Sequence, residues 1–366
     1  MLESGKISTR QFTLLIFTLL LSSSLFSLPQ ILIAELKQDA WQIMIITLAA
    51  DGSLALVYYI LGLRYPQQTM FMYAETILGT WLGKIISFIF VMFFSYVTFF
   101  MLKMMTDFIS TIILSDTPKI VVSSILLLLG LYAVNAGLEV IVRICEIVAP
   151  LILIPLLVIL SFSLNRVELE NLLPVFQHSI WEVFKSSFLP IGWYAICILM
   201  GVLMAYHNNP KQSLKAKIVA VGSAATLVIM TLLSLITVFG TNYSGQQTYP
   251  LFRLAQIIEV GDFFERIETL VIIFWIAGTF ISLVIFYYAS VLGLAQLFNL
   301  KKYQSLSPFF GLGILILSLK IFANVIERSY FMVNTFPFLA LFVEYFLAIG
   351  LLIVSFFRHG IKKTKV

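Results

Sequence analysis

Long apolar stretches follow one another along this chain, separated by short polar breaks. A helix needs about 20 apolar residues to cross a bilayer, and non-helical backbone is not tolerated against lipid. Ten stretches reach that length, near residues 11–35, 41–62, 84–113, 119–137, 145–164, 183–206, 215–240, 268–298, 307–324 and 334–357. The longest breaks, around 165–185 and 241–267, fall well short of the roughly 50 residues at which domains begin. The pattern predicts an all-α integral membrane protein with about ten transmembrane helices. It occupies residues 1–366 as a single membrane domain, with helices 1–5 over about 11–164 and helices 6–10 over about 183–357.

Composition removes the alternatives. Hydrophobic residues make up 60% of the chain and charged residues 11%, and the mean hydropathy is +1.02. A soluble domain carries roughly 25% charged residues, so a water-soluble shell cannot be assembled. The net charge of +5 comes from Lys and Arg scattered over short loops, which points to membrane topology and away from nucleic acid. Cys145 and Cys197 both lie in or at apolar spans, so no disulfide framework or metal cage is implied. The first stretch is too long for a signal-peptide core and has no small-residue cleavage site, so it is expected to stay in the mature protein. Three histidines, at 178, 207 and 359, and the absence of any His-Glu-x-x-His, Walker or nucleophile-elbow motif speak against an enzyme or a cofactor.

Charge asymmetry predicts orientation. With both termini cytoplasmic, the inner segments hold 14 of the 23 basic residues, among them Lys6, Arg10, Arg64, Lys84, Arg143, Lys215, Lys217, Lys301 and Arg358. About 12 of the 18 acids then fall outside, including Glu168, Glu170, Glu259, Asp262 and Glu265.

Two spans carry breaks. Span 1 reads Ser22, Ser23, Ser24, Leu25, Phe26, Ser27, Leu28, Pro29, a serine cluster closed by a residue that removes a backbone donor. Span 6 reads Pro190, Ile191, Gly192, Trp193. Singly, each is a kink of the kind serine hydroxyls relieve in membrane helices. Together they open corresponding halves of five spans each, the layout of inverted-repeat transporters, whose discontinuous helices meet near the bilayer midplane. Free amides there suit a carboxylate and free carbonyls an ammonium, so the site suits a small amino-acid-like ligand.

Two further motifs carry a family resemblance. Gly137, Glu139 and Arg143, followed by Glu146 and Pro150, form a Gly-x-Glu-x-x-x-Arg stretch leading into span 5. Gly261, Asp262, Phe263, Phe264, Glu265, Arg266 and Glu268 precede Trp275, Tyr287 and Tyr288. These resemble the GerAB family of spore germination proteins, permease-like B subunits of nutrient germinant receptors within the amino acid/polyamine/organocation superfamily. The resemblance implies a LeuT-like fold with spans 1, 3, 6 and 8 around the ligand. It also implies germinant sensing beside receptor A and C subunits in the spore inner membrane, with lipid as the surrounding solvent.

On that architecture the ligand-binding candidates are Ser22, Ser23, Ser24, Phe26 and Ser27 on span 1 and Pro190, Ile191, Gly192 and Trp193 on span 6. Tyr96 and Phe100 on span 3 and Ser282, Phe286 and Tyr287 on span 8 complete them. Many superfamily members have a glycine-containing break in span 1 where this sequence has serines, and span 5 lacks the mid-membrane lysine of some proton-coupled relatives. Charges inside spans are functional candidates by default. Asp51 has either a gating or cation-coupling role or a structural bond to a neighbouring helix. Glu344 and Lys320 are expected to pair structurally or meet a partner subunit, Lys320 alternatively snorkelling outward. Lys103 and Asp107 are expected to form a solvated i, i+4 pair. The alternative to a sensor is an amino acid permease working by alternating access.

The orientation yields a first test. Cysteines placed after Lys363 and near Lys215 are expected to be shielded from an impermeant thiol reagent in intact right-side-out cells, while one near Gln246 reacts. Labelling of the tail position from outside contradicts this topology.

Overall fold

The computed structural model describes residues 2 and 3, 5–257, 267–322 and 324–359. The Gly261–Arg266 part of the motif and the basic tail from residue 360 lie outside them, as do Glu259, Asp262 and Glu265. Among the described residues every regular element is helical, and the one extended pairing is an isolated parallel bridge between Ile7 and His207.

The chain runs through α1 (Thr9–Leu36), α2 (Ala40–Arg64), α3 (Met70–Leu78), α4 (Thr80–Phe108), α5 (Lys119–Ala136) and α6 (Leu138–Ser163). Span 6 is divided into α7 (Ile180–Ser186), α8 (Phe188–Tyr194), a 3-10 stretch Ala195–Leu199, α9 (Met200–Leu203) and a final 3-10 turn Met204–Tyr206. Then come α10 (Ser213–Gln246), α11 (Pro250–Gln256), α12 (Ile267–Leu297), α13 (Ser307–Lys320) and α14 (Val325–Asn334). The last span comprises α15 (Phe336–Ala340), a π-helical turn Leu341–Phe346 and α16 (Leu347–His359). Helical segments thus lie over all ten expected stretches. Among the described residues eight are long and apolar enough to cross a membrane, whereas α13 is shorter.

The outer surface inverts that of a soluble protein. Leu128, Leu129, Ile147, Ile154, Ile218 and Phe357 are all exposed, whereas Asp51, Lys217 and Glu344 are buried. Lipid explains the first set, and the second set needs partners inside the bundle.

Local chemistry fixes the ends. Ser8 caps α1 and accepts from the Gln11 amide while Gln11 reaches back, a capping box that Ser179 and Glu182 repeat on α7. Glu3 accepts from the Leu138 amide at 3.2 Å and from the Tyr303 hydroxyl at 3.0 Å, tying the N-terminal segment to the start of α6. Ile7 donates to the Tyr206 carbonyl at 2.9 Å, and His207 stacks on Phe12. Burial pushes the His207 imidazole down to about 4, so it is neutral at physiological pH. At the opposite end the buried Asp39 accepts from the amides of Phe176 and Gln177, both at 2.7 Å, and of His178 at 3.2 Å, which staples the long connection to the α1–α2 corner.

Span 1 departs from expectation. α1 is one continuous helix through Pro29, with no unwound segment. Ser23 Oγ donates to the Leu19 carbonyl at 2.7 Å and Ser22 Oγ to the same carbonyl at 3.4 Å. The hydroxyls therefore serve the helix's own backbone, a local option open to any serine in a helix. Span 6 changes winding along its length, but the Pro190–Gly192 segment expected to be broken lies within the helix Phe188–Tyr194. Pro190 sits in the first turn of α8, where its missing amide costs nothing, and the tighter 3-10 winding follows.

The turn from α3 into α4 depends on two glycines. Gly79 has φ +86°, and a Cβ on Gly83 would lie 2.3 Å from Glu75 Cα, a backbone contact that cannot yield. Gly222 on α10 has open space around it. Gly83→Ala should therefore destabilise by roughly 1–3 kcal/mol, read as a lower Tm in detergent, and Gly222→Ala should be neutral or stabilising. Equal effects at the two positions contradict this packing.

Candidate functional site

At the centre of the bundle the helices leave an enclosed cavity of about 40 Å³. α1 contributes Ser23, and α4 contributes Phe93, Tyr96, Val97, Phe100 and Met101. Span 6 supplies Gly192, Trp193 and Ile196, and α12 supplies Ser282 and Phe286. Met332 of α14, Phe336 of α15 and Glu344 of the π turn close the remaining side. The walls are largely aromatic: Tyr96 stacks on Phe100 and Phe336, and Phe93 also stacks on Phe336. A cavity of about 150 Å³ is known to hold a benzene molecule, so a ligand of that size enters this smaller space only when a wall moves.

The sequence candidates divide. Ser23, Tyr96, Phe100, Gly192, Trp193, Ser282 and Phe286 meet around this cavity. Ser22 lines a second cavity of about 30 Å³ instead, between α1, α6, α11 and α12, together with Trp275. Ser24 turns toward the Tyr194 hydroxyl, away from this cavity. Pro190 and Ile191 are buried but are not among the lining residues, and Tyr287 turns away to donate to the Ser307 carbonyl. The side chains of Phe26 and Ser27 lie outside the described set. A Cβ on Gly192 would stand 3.1 Å from Ala340 Cβ and 3.3 Å from Pro337 Cα, so this glycine brings α8 and α15 together.

The polar chemistry sits where sequence reasoning had not joined it. Asp51 on α2 and Lys217 on α10 form an ion pair at 3.2 Å, with Lys217 wholly buried. Cys197 donates to Asp51 Oδ1 at 3.0 Å. Lys217, counted from the sequence among the inner-face cations, is thus a core residue. Its signal was the apolar run Ile218, Val219, Ala220, Val221 that follows it. Beside this pair Glu344 is 3% exposed, with Oε2 lacking any hydrogen-bond partner. Lys217 and Asp51 are the charged groups close enough to act on it. The Tyr58 hydroxyl donates to the Glu344 carbonyl at 3.2 Å, holding the π turn rather than the carboxylate.

A second charge centre lies toward the end of the bundle away from the termini. Asp107 meets Lys119 at 2.7 Å, Arg328 at 2.9 Å and Lys103 at 3.3 Å. The Lys103–Asp107 pair is therefore buried and shared, a correction to the solvated pair read from i, i+4 spacing, because Arg328 of α14 folds onto it. Arg328 and Met332 are one helical turn apart, so this contact holds α14 over the cavity. The short helix α11, in the connection between α10 and α12, buries Leu251 and Leu254. Lys320 is exposed, and Glu344 lines the cavity.

Solved transporters share this architecture. The nucleobase-cation-symport-1 family transporter Mhp1 superposes with a TM-score of 0.66 at 13% identity, over 96% of this chain and 78% of that one. MhsT, solved in complex with L-phenylalanine, gives 0.61 at 14% identity over 95% and 97%. The chain is a multi-pass helical membrane protein of the LeuT-like transporter fold. Within that class the spore germination protein family, Spore_permease, matches residues 6–326, and the chain belongs to it. Spore germination protein YndE of Bacillus subtilis (strain 168) is 28% identical over 97% of this chain and 98% of its own length. Spore germination protein KB of the same organism is 28% identical over 92% and 90%. The family resemblance read from the sequence is borne out.

The Asp51–Lys217 pair yields a double-mutant test. Lys217→Met leaves a buried carboxylate without its cation and should destabilise by roughly 3–5 kcal/mol, as should Asp51→Asn in the opposite sense. Together they should recover most of that loss in thermal unfolding, because neither member of the pair is then left as a charge without its partner. Simple additivity contradicts a coupled pair.

Proposed function

We propose that this chain is the ligand-sensing, permease-like subunit of a nutrient germinant receptor. It binds a small amino-acid-like molecule in the central cavity and passes the change of state to receptor A and C subunits in the spore inner membrane, both termini lying on the cytoplasmic side. The observation that carries this reading is the convergence of α1, α4, span 6 and α12 on one enclosed cavity, in a fold whose solved examples include one holding L-phenylalanine. The small cavity supports a closed ground state. A ligand then acts by binding an opened state better than this one and shifting the balance between them. Seven of the sequence candidates line the proposed site, and Asp51 acts from behind it as the partner of Lys217.

The fold of transporters also supports a second reading, an amino acid permease working by alternating access. Proteoliposomes carrying the chain alone separate the two. Binding of a labelled amino acid without flux is the expected outcome, and robust saturable flux favours transport.

Val97 tests the cavity directly, since it already carries a side chain on the cavity wall. Val97→Phe fills the space and should raise the amino acid concentration needed for response roughly tenfold or more at unchanged protein level. An unchanged concentration dependence places the ligand elsewhere.

A further inference from the structure

We propose that Glu344 anchors a primary ammonium group of the ligand, so that the cavity selects small amines with an apolar chain, amino acids among them. This rests on the cavity being the ligand site and adds the group that orients the ligand there. Glu344 is 3% exposed, lines the cavity and leaves Oε2 without a hydrogen-bond partner. A carboxyl group buried inside a membrane bundle is costly to ionise, so one that lines a cavity with an oxygen left unbonded is placed to gain from a cation received there. The protein supplies such a cation only in part. Lys217 is engaged by Asp51 at 3.2 Å, which leaves two carboxylates sharing one ammonium. The carboxylate is carried on the π turn Leu341–Phe346, a local rewinding of the kind that concentrates at functional sites.

The two serines of the cavity are occupied within their own helices, and the Tyr96 hydroxyl donates to Met332 Sδ. Ser23 donates to the Leu19 carbonyl at 2.7 Å and Ser282 to the Gly278 carbonyl at 3.1 Å. Aromatic faces at Tyr96, Trp193 and Phe286 add the surroundings that favour an ammonium over a neutral group. The polarity of the site continues along α14. One turn beyond Met332, Arg328 joins Lys103 and Lys119 on the single carboxylate of Asp107. A zwitterion with its ammonium on Glu344 therefore points its carboxylate toward the cation-rich end.

The full-length chain, purified in detergent, tests this. The twenty L-amino acids are ranked by thermal stabilisation, and the best is compared with the amine left when its carboxylate is removed and the acid left when its amine is removed. The amino acid and the amine should stabilise and the acid should not. Glu344→Gln should weaken both binders roughly 10- to 100-fold, with Glu344→Asp weakened less. Several results overturn the proposal: an acid that binds as well as its amino acid, an affinity for Glu344→Gln within about twofold of the unaltered chain, or no stabilisation by any amino acid or amine. A Glu344-dependent stabilisation that follows Na+ instead of amines also overturns it. Should Glu344→Gln fail to fold, the ligand comparison on the unaltered chain decides alone. If Val97→Phe abolishes binding while Glu344→Gln does not, the cavity stands as the ligand site and the ammonium anchor falls. If neither variant changes binding, both fall.

Discussion

A charge inside a lipid-embedded bundle has to be answered by another charge within the same bundle, since neither lipid nor a dry core can solvate it. This constraint organises the centre of the protein. Lys217, wholly buried on α10, is tolerable only because Asp51 on α2 meets it at 3.2 Å, and that pair joins the first half of the chain to the second. Cys197 on span 6 completes the contact by donating to Asp51. The remaining carboxylate, Glu344, is the group the protein answers only in part, and it is also the charge that reaches the cavity.

The closed state is held by contacts of different strength. Inside, Tyr96, Phe93 and Phe336 stack across α4 and α15, and opening the cavity means separating these faces. Further out, the ion pair from Arg328 to Asp107 carries α14 down onto the same helix α4. A ligand gains nothing from contacts it makes equally in both states, so sensing requires that these two layers open together when it binds. The small-residue approach of Gly192 to Ala340 and Pro337 couples α8 to α15, which gives motion at the cavity a direct path to the last span.

Much of this was legible in the sequence. Span positions followed from apolar length, whereas Pro190 and Gly192 sit within the helix Phe188–Tyr194 and the change of winding begins just past them, at Ala195. The serine cluster was legible as an irregularity but not in its consequence. Its hydroxyls turned back onto the Leu19 carbonyl, and a short polar side chain in a helix has this local option whatever the ligand. Lys217 was misplaced for a different reason. Positive-inside counting treats a lysine near a span end as a surface charge, and only the three-dimensional approach of α10 to α2 reveals its partner. The Asp107 cluster had the same origin, since its third cation comes from Arg328, far along the chain.

The most direct measurement is an experimental structure of the chain determined with a saturating stabilising amino acid. The account predicts ligand density between α4, span 6 and α12, with the amino group within hydrogen-bond distance of the Glu344 carboxylate and the Asp51–Lys217 pair intact. Density in the second cavity beside Ser22 and Trp275, or a Glu344 carboxylate bound to Lys217 with the ligand elsewhere, contradicts it.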